Sequence, residues 1–107
     1  MNPGFIYLIK ASNGLYKIGL ASNVHKRVSE LKAMSPILIF LEHVITTDCM
    51  LNVESALHYK FRSCRHHGEW FSLKQSQVDW IKSLDSYNNS DCKNLWEEIY
   101  KSKWSQH

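Results

Sequence analysis

The residues with chemical potential in this chain fall into two groups. Tyr7, Lys17 and Arg27 place a phenol, an ammonium and a guanidinium within the first 27 residues, and Glu54 and His58 follow four positions apart. A phenol has a reference pKa of ~10, but a nearby cation such as Lys17 favours the phenolate and makes its oxygen a base. A guanidinium grips a phosphate with a two-pronged fork that a lysine lacks. A lone carboxylate can hold a hard divalent ion that keeps its waters and takes a further oxygen from the substrate. Each side chain also has an ordinary reading. Tyr7 could be a packed strand residue, Arg27 a solvated helix residue beside Lys26, and Glu54 the partner of Lys60 or Arg62 in a surface ion pair, while His58 could orient the carboxylate, contact phosphate or simply satisfy a core hydrogen bond.

The elements that must position these groups are legible from pattern. Phe5 to Lys10 and Leu15 to Leu20 are rich in aromatic and branched residues and flank Ala11-Ser12-Asn13-Gly14, whose Asn-Gly pair accepts the positive φ angles of a tight turn. That predicts a β-hairpin. Alternation puts Phe5, Tyr7 and Ile9 on one face of its first strand and Leu15, Lys17 and Gly19 on one face of its second, so a shared face makes Tyr7 and Lys17 neighbours. Ser22 or Asn23 then caps a helix with Val24, Val28 and Leu31 on its buried stripe and Arg27 just off it. The run Ile37 to Thr47 reads as a third strand, whose Ile37, Ile39, Leu41 and Ile45 cannot all be surface residues. Asp48 offers the cap of a second helix, on which Met50, Val53, Leu57 and Phe61 form an apolar stripe while Glu54, His58 and Arg62 share an adjoining face. Cys64 to Gly68 breaks it, and Glu69-Trp70-Phe71 is expected to be extended or to plug the core in a structural role. Gln75 to Leu84 reads as a third helix, Asp85 to Ser90 as a polar break, and Leu95, Trp96, Ile99 and Tyr100 as the stripe of a last one.

In this order and spacing the motifs resemble the GIY-YIG nuclease superfamily, in which two short motifs on neighbouring strands precede an arginine on the next helix. The first reads Phe5-Ile6-Tyr7, with Phe5 where the family usually has glycine. The second reads Lys17-Ile18-Gly19, with lysine in the usual tyrosine position and Tyr16 just before it. Tyr-Lys-Ile-Gly, the later Glu54-x-x-x-His58 and Gly68-Glu69-Trp70-Phe71 are similar to the branch typified by a phage T5 reading frame and a meiotically up-regulated yeast gene. The expected fold is α+β, a small antiparallel three-stranded sheet flanked by helices, with the domain at residues 1–84 and a helical extension at 85–107.

The resemblance implies a metal-dependent endonuclease of phage or mobile-element type that hydrolyses DNA. Such hydrolysis needs a deprotonated nucleophile, neutralised phosphoryl oxygens and help for the departing oxygen. Tyr7 is then the general base with Lys17 as its electrostatic partner, Arg27 stabilises the transition state, and Glu54 is the single protein ligand of Mg²⁺ or Mn²⁺. Tyr16 and His58 are the remaining catalytic candidates. Lys10, Lys26, Lys32 and Arg62 are candidates for phosphate contacts, which add affinity without reading sequence. Target choice in so small a core calls for an attached reader module or a homodimer. The competing metal reading is a zinc site drawn from Cys49, Cys64, His66, His67 or His43, although no Cys-x-x-Cys pair is present. The competing function is a catalytically inactive DNA-binding or protein-assembly module that keeps the fold.

Composition sets the outer bounds. At 107 residues the length suits one domain, and 44% hydrophobic with 21% charged residues is ordinary for a globular chain. Thirteen Lys plus Arg against ten Asp plus Glu give a net charge of +3, which permits nucleic-acid binding without arguing for it. No apolar run spans a membrane and the N-terminus lacks a signal-peptide layout, so a cytoplasmic setting is expected. Three cysteines at wide spacings make no disulfide framework and are expected to be reduced.

Overall fold

A computed structural model of the chain describes residues 4–87. Strands β1 (Gly4–Ala11) and β2 (Tyr16–Ala21) form the expected antiparallel hairpin. Of the Asn-Gly pair only Gly14 takes a positive φ, 89°, while the Asn13 side chain accepts a hydrogen bond from the Leu15 amide at 3.0 Å. In the ladder Tyr7 stands opposite Gly19 and Ile9 opposite Lys17, so the phenol and the ammonium share a face of the sheet.

Helix α1 (Val24–Met34) covers that face. Asn23 caps it by accepting the Lys26 amide at 3.1 Å, and Val24 and Val28 pack with Tyr7, Ile9, Ala11, Ala21 and Ile39. The other face carries Ile6, Leu8, Tyr16, Ile18 and Ile45, buried beneath Val53, Ala56 and Leu57 of α2 (Met50–Lys60) and Val78 and Ile81 of α3 (Gln75–Lys82). With a layer on each side, the central strand β1 is apolar at nearly every buried position, where Tyr7 is the polar exception, while Lys10 near its end is exposed.

The sheet is larger than the three strands expected. Strand β3 (Ile39–Thr47) pairs with β1, but β4 (Arg65–His67), β5 (Trp70–Phe71) and β6 (Ser86–Tyr87) extend the sheet to six strands in the order β4-β5-β2-β1-β3-β6. All neighbours are antiparallel except β6, which runs parallel to β3. Runs of two or three residues carry no period of their own, so β4, β5 and β6 could not be found from pattern. Of the two readings of Glu69-Trp70-Phe71 the extended one holds: Trp70 and Phe71 are ladder partners of β2, entered through a Gly68 turn at φ 53°.

Two local expectations are also corrected. Cys49, not Asp48, occupies the α2 cap, and the Thr47 hydroxyl accepts the Cys49 amide at 3.0 Å. Cys64 is a free thiol whereas Cys49 is disulfide-bonded, so the three are not all reduced. Of the β3 run, Ile39 and Ile45 are buried while Ile37 and Leu41 are exposed together with Met34, Leu38 and Phe40. The last helix expected from the sequence lies outside the described residues. Among the described residues no helix is long and apolar enough to cross a membrane.

Candidate active site

Tyr7 is the centre of the site. It is 1% exposed, and its ring runs across Gly19 so closely that a β-carbon there would overlap the phenol oxygen and the carbon that bears it. The glycine of the second motif thus makes room for the tyrosine of the first. Its backbone needs no positive φ, so close approach alone is what requires glycine here.

Arg27, one turn into α1, comes close enough to the Tyr7 oxygen for its positive charge to act on the phenol. Burial pushes the phenol above its ordinary value of 10.0, the negative charges of Glu69 and Glu54 push the same way, and the Arg27 contact opposes them. Two expectations change as a result. The cation that supports Tyr7 is Arg27 rather than Lys17, and the phenol is raised, not lowered. Arg27 is otherwise held loosely, at 3.5 Å from Glu30 across the helix surface.

Lys17 points into the same region but pairs with Glu69, Nζ to Oε2 at 2.9 Å, and lies over the Trp70 ring at 5.6 Å. Glu69 is the residue that sequence reasoning missed. A two-residue strand gives no signal, yet the Ile18 amide donates to the Glu69 carbonyl at 3.1 Å and so fixes Glu69 beside the second motif. Gly68, read as the turn between two short strands, was the clue available in the sequence.

From the other layer, α2 carries Glu54 into electrostatic range of Lys17, Glu69 and Tyr7. Its Oε2 is buried with no hydrogen-bond partner. Burial raises the carboxyl above its ordinary 4.5, Glu69 adds to the rise, and His58 and Lys17 reduce it. The surface ion pair does not form, because Lys60 lies over Trp80 at 4.4 Å and Arg62 over Tyr59 at 4.0 Å. A buried unpartnered carboxylate oxygen is the donor that a hard divalent ion takes, so Glu54 fits the role of sole protein ligand to a hydrated ion. Among the described residues no group of three or more His, Cys, Asp or Glu could hold an ion, and the zinc arrangement is not formed there.

His58 bonds through Nε2 to the Ile18 carbonyl at 2.8 Å. A carbonyl can only accept, so Nε2 carries the proton and Nδ1 faces Arg65 Nη2 at 3.4 Å. The ring stands edge-on to Phe71 and braces β2 between the two motif residues Lys17 and Gly19. Tyr16, adjacent to Lys17, is directed by strand alternation to the opposite core, 6% exposed, with Lys10 over its ring at 5.8 Å. It is not part of the cluster. Of the candidate phosphate contacts, Lys26 lines a groove of about 240 Å³ with Arg27, Leu20 and Glu30. Lys32 is exposed in the last turn of α1, and Arg62 donates to the Tyr59 carbonyl at 2.7 Å.

One phenol, two cations and two carboxylates thus lie within electrostatic range of one another where β1, β2, β5, α1 and α2 come together, an arrangement that can bind an anion and move a proton. Neither a curated protein nor a solved structure matches the chain. The T5orf172 domain, the branch indicated by Tyr-Lys-Ile-Gly and Gly-Glu-Trp-Phe, matches residues 4–85, and the chain belongs to this nuclease-like family.

Proposed function

We propose that the chain is a GIY-YIG-type, metal-dependent endonuclease that hydrolyses phosphodiester bonds in DNA. The observation that carries this reading is the grouping, within electrostatic range, of the Tyr7 phenol with the Arg27 guanidinium and the buried, unpartnered carboxylate oxygen of Glu54. Water adds to phosphorus, its proton passes to the phenolate of Tyr7, and the bond from phosphorus to the leaving sugar oxygen breaks as that oxygen takes a proton from solvent water. Arg27 binds the non-bridging oxygens as charge builds on them, and its fork orients the phosphate beside Tyr7. Glu54 would hold Mg²⁺ or Mn²⁺, which supplies positive charge to the phosphoryl group when bound. His58 fixes the strand that carries Lys17 and Gly19. Lys26, beside Arg27, extends the phosphate contacts, and a homodimer is the form we assign to target choice.

Plasmid DNA incubated with Mg²⁺ or Mn²⁺ tests this. The expected product is nicked circles, with the rate reduced about 100-fold or more in Arg27→Ala and Glu54→Ala. Cleavage at the wild-type rate in either variant would remove the assignment, and sedimentation of the protein with and without DNA tests the homodimer. The raised phenol and the engaged Lys17 favour one other reading, an inactive DNA-binding or assembly module. That reading predicts salt-sensitive binding with no cleavage under any divalent ion.

A further inference from the structure

Glu69 is the feature of the site that the proposed reaction leaves unused. It is an acidic group placed where a nuclease must admit a phosphate. Its carboxylate meets Lys17 Nζ at 2.9 Å, the separation at which a phosphate oxygen would meet an ammonium. The two partners are unequally held. The Lys17 side chain is 12% exposed and lies along Trp70, whereas that of Glu69 is 39% exposed. The Glu69 backbone is fixed by the Ile18 amide, so only its side chain is free to turn out. In the ligand-free site the Glu69 carboxylate offsets the charge of Lys17, so an incoming phosphate must displace it to reach that ammonium.

We propose that Glu69 occupies the place of a substrate phosphate oxygen on Lys17 and swings into solvent when the nucleic acid binds, which makes Lys17 a phosphate-anchoring residue of this site. The inference rests on the nucleic-acid reading above. Lys17 stays where Trp70 and the sheet hold it, and the exchange swaps one anion for another at a fixed ammonium. Competition from a tethered carboxylate lowers affinity for any single phosphate, so substrates that reach Arg27 and Lys26 at the same time are favoured over short ones.

The test is binding of a fluorescent 20-base-pair DNA duplex, followed by anisotropy in EDTA over a salt series, for wild type, Glu69→Gln, Lys17→Gln and the double variant. Glu69→Gln keeps an oxygen for Lys17 and removes the charge. It should bind about fivefold to tenfold tighter at low salt, with a log-log salt slope steeper by about 0.9. Lys17→Gln should weaken binding, and the double variant should match Lys17→Gln, since removing the competitor gains nothing once the anchor is gone. Unchanged or weaker binding by Glu69→Gln overturns the inference, as does an equal gain in the Lys17→Gln background, which would mark general charge repulsion. A wild-type protein that binds no duplex overturns the nuclease reading and this inference together, whereas a wild type that binds with Glu69→Gln unchanged overturns the inference alone.

Discussion

The Tyr7 phenol lies in the space that the absent side chain of Gly19 leaves across the β1–β2 ladder. The two motifs of the hairpin are therefore halves of one packing solution, in which a ring that must reach the site crosses a strand whose facing residue has no side chain.

Gly19→Ala tests that relationship directly. The added methyl overlaps the phenol oxygen, and the tightly packed ring has to move. Overpacking of this kind costs roughly 1–3 kcal/mol. A thermal melt should fall by roughly 5–15 °C, and plasmid nicking should fall about 100-fold because the base is displaced. A variant with unchanged melting and unchanged nicking would show that Tyr7 does not depend on the gap.

The pH dependence of cleavage follows from the direction of the Tyr7 shift. Burial and two carboxylates hold the phenol above 10.0, so the phenolate fraction rises throughout the neutral and mildly alkaline range. Initial nicking rates should climb close to tenfold per unit between about pH 7 and pH 9. A plateau near neutrality would assign the base to another group.

Glu54 should show activity and stability opposed. Its carboxyl is raised on folding, so it takes up a proton more readily in the native than in the unfolded state. Its contribution is present below the ordinary carboxylate value and is lost as pH rises through the raised one. At pH 7 the charge therefore opposes folding. Glu54→Gln should melt about 2–4 °C higher at pH 7, and this gain should vanish below the ordinary value of 4.5. Cleavage should be abolished. A lower melting temperature at neutral pH would mean that the carboxylate has a partner the buried oxygen does not reveal.

His58→Ala should damage the fold more than the chemistry. It leaves the Ile18 carbonyl unpaired beside Phe71, at a cost of roughly 1–3 kcal/mol. A lower denaturation midpoint is expected, and His58→Gln should recover part of it by donating to the same carbonyl. Equal destabilisation by both variants would place the loss in ring packing instead.

Residues with a periodic signal were legible in the sequence. The Asn-Gly turn, the alternation of β1 and β2, the Asn23 cap and the stripe of Val53, Leu57 and Phe61 each follow from local chemistry, and together they place Tyr7, Lys17, Arg27 and Glu54 on the right elements. Which charge meets which could not be read there, because ion pairing depends on distances between segments far apart in the chain. The tertiary structure assigned Arg27 to Tyr7 and Lys17 to Glu69, sent Tyr16 to the far core, and left the Glu54 oxygen buried without a partner. The cause is the short strand β5, too brief to carry a pattern, which pairs with β2 and brings a second carboxylate to a site where the sequence had shown only one.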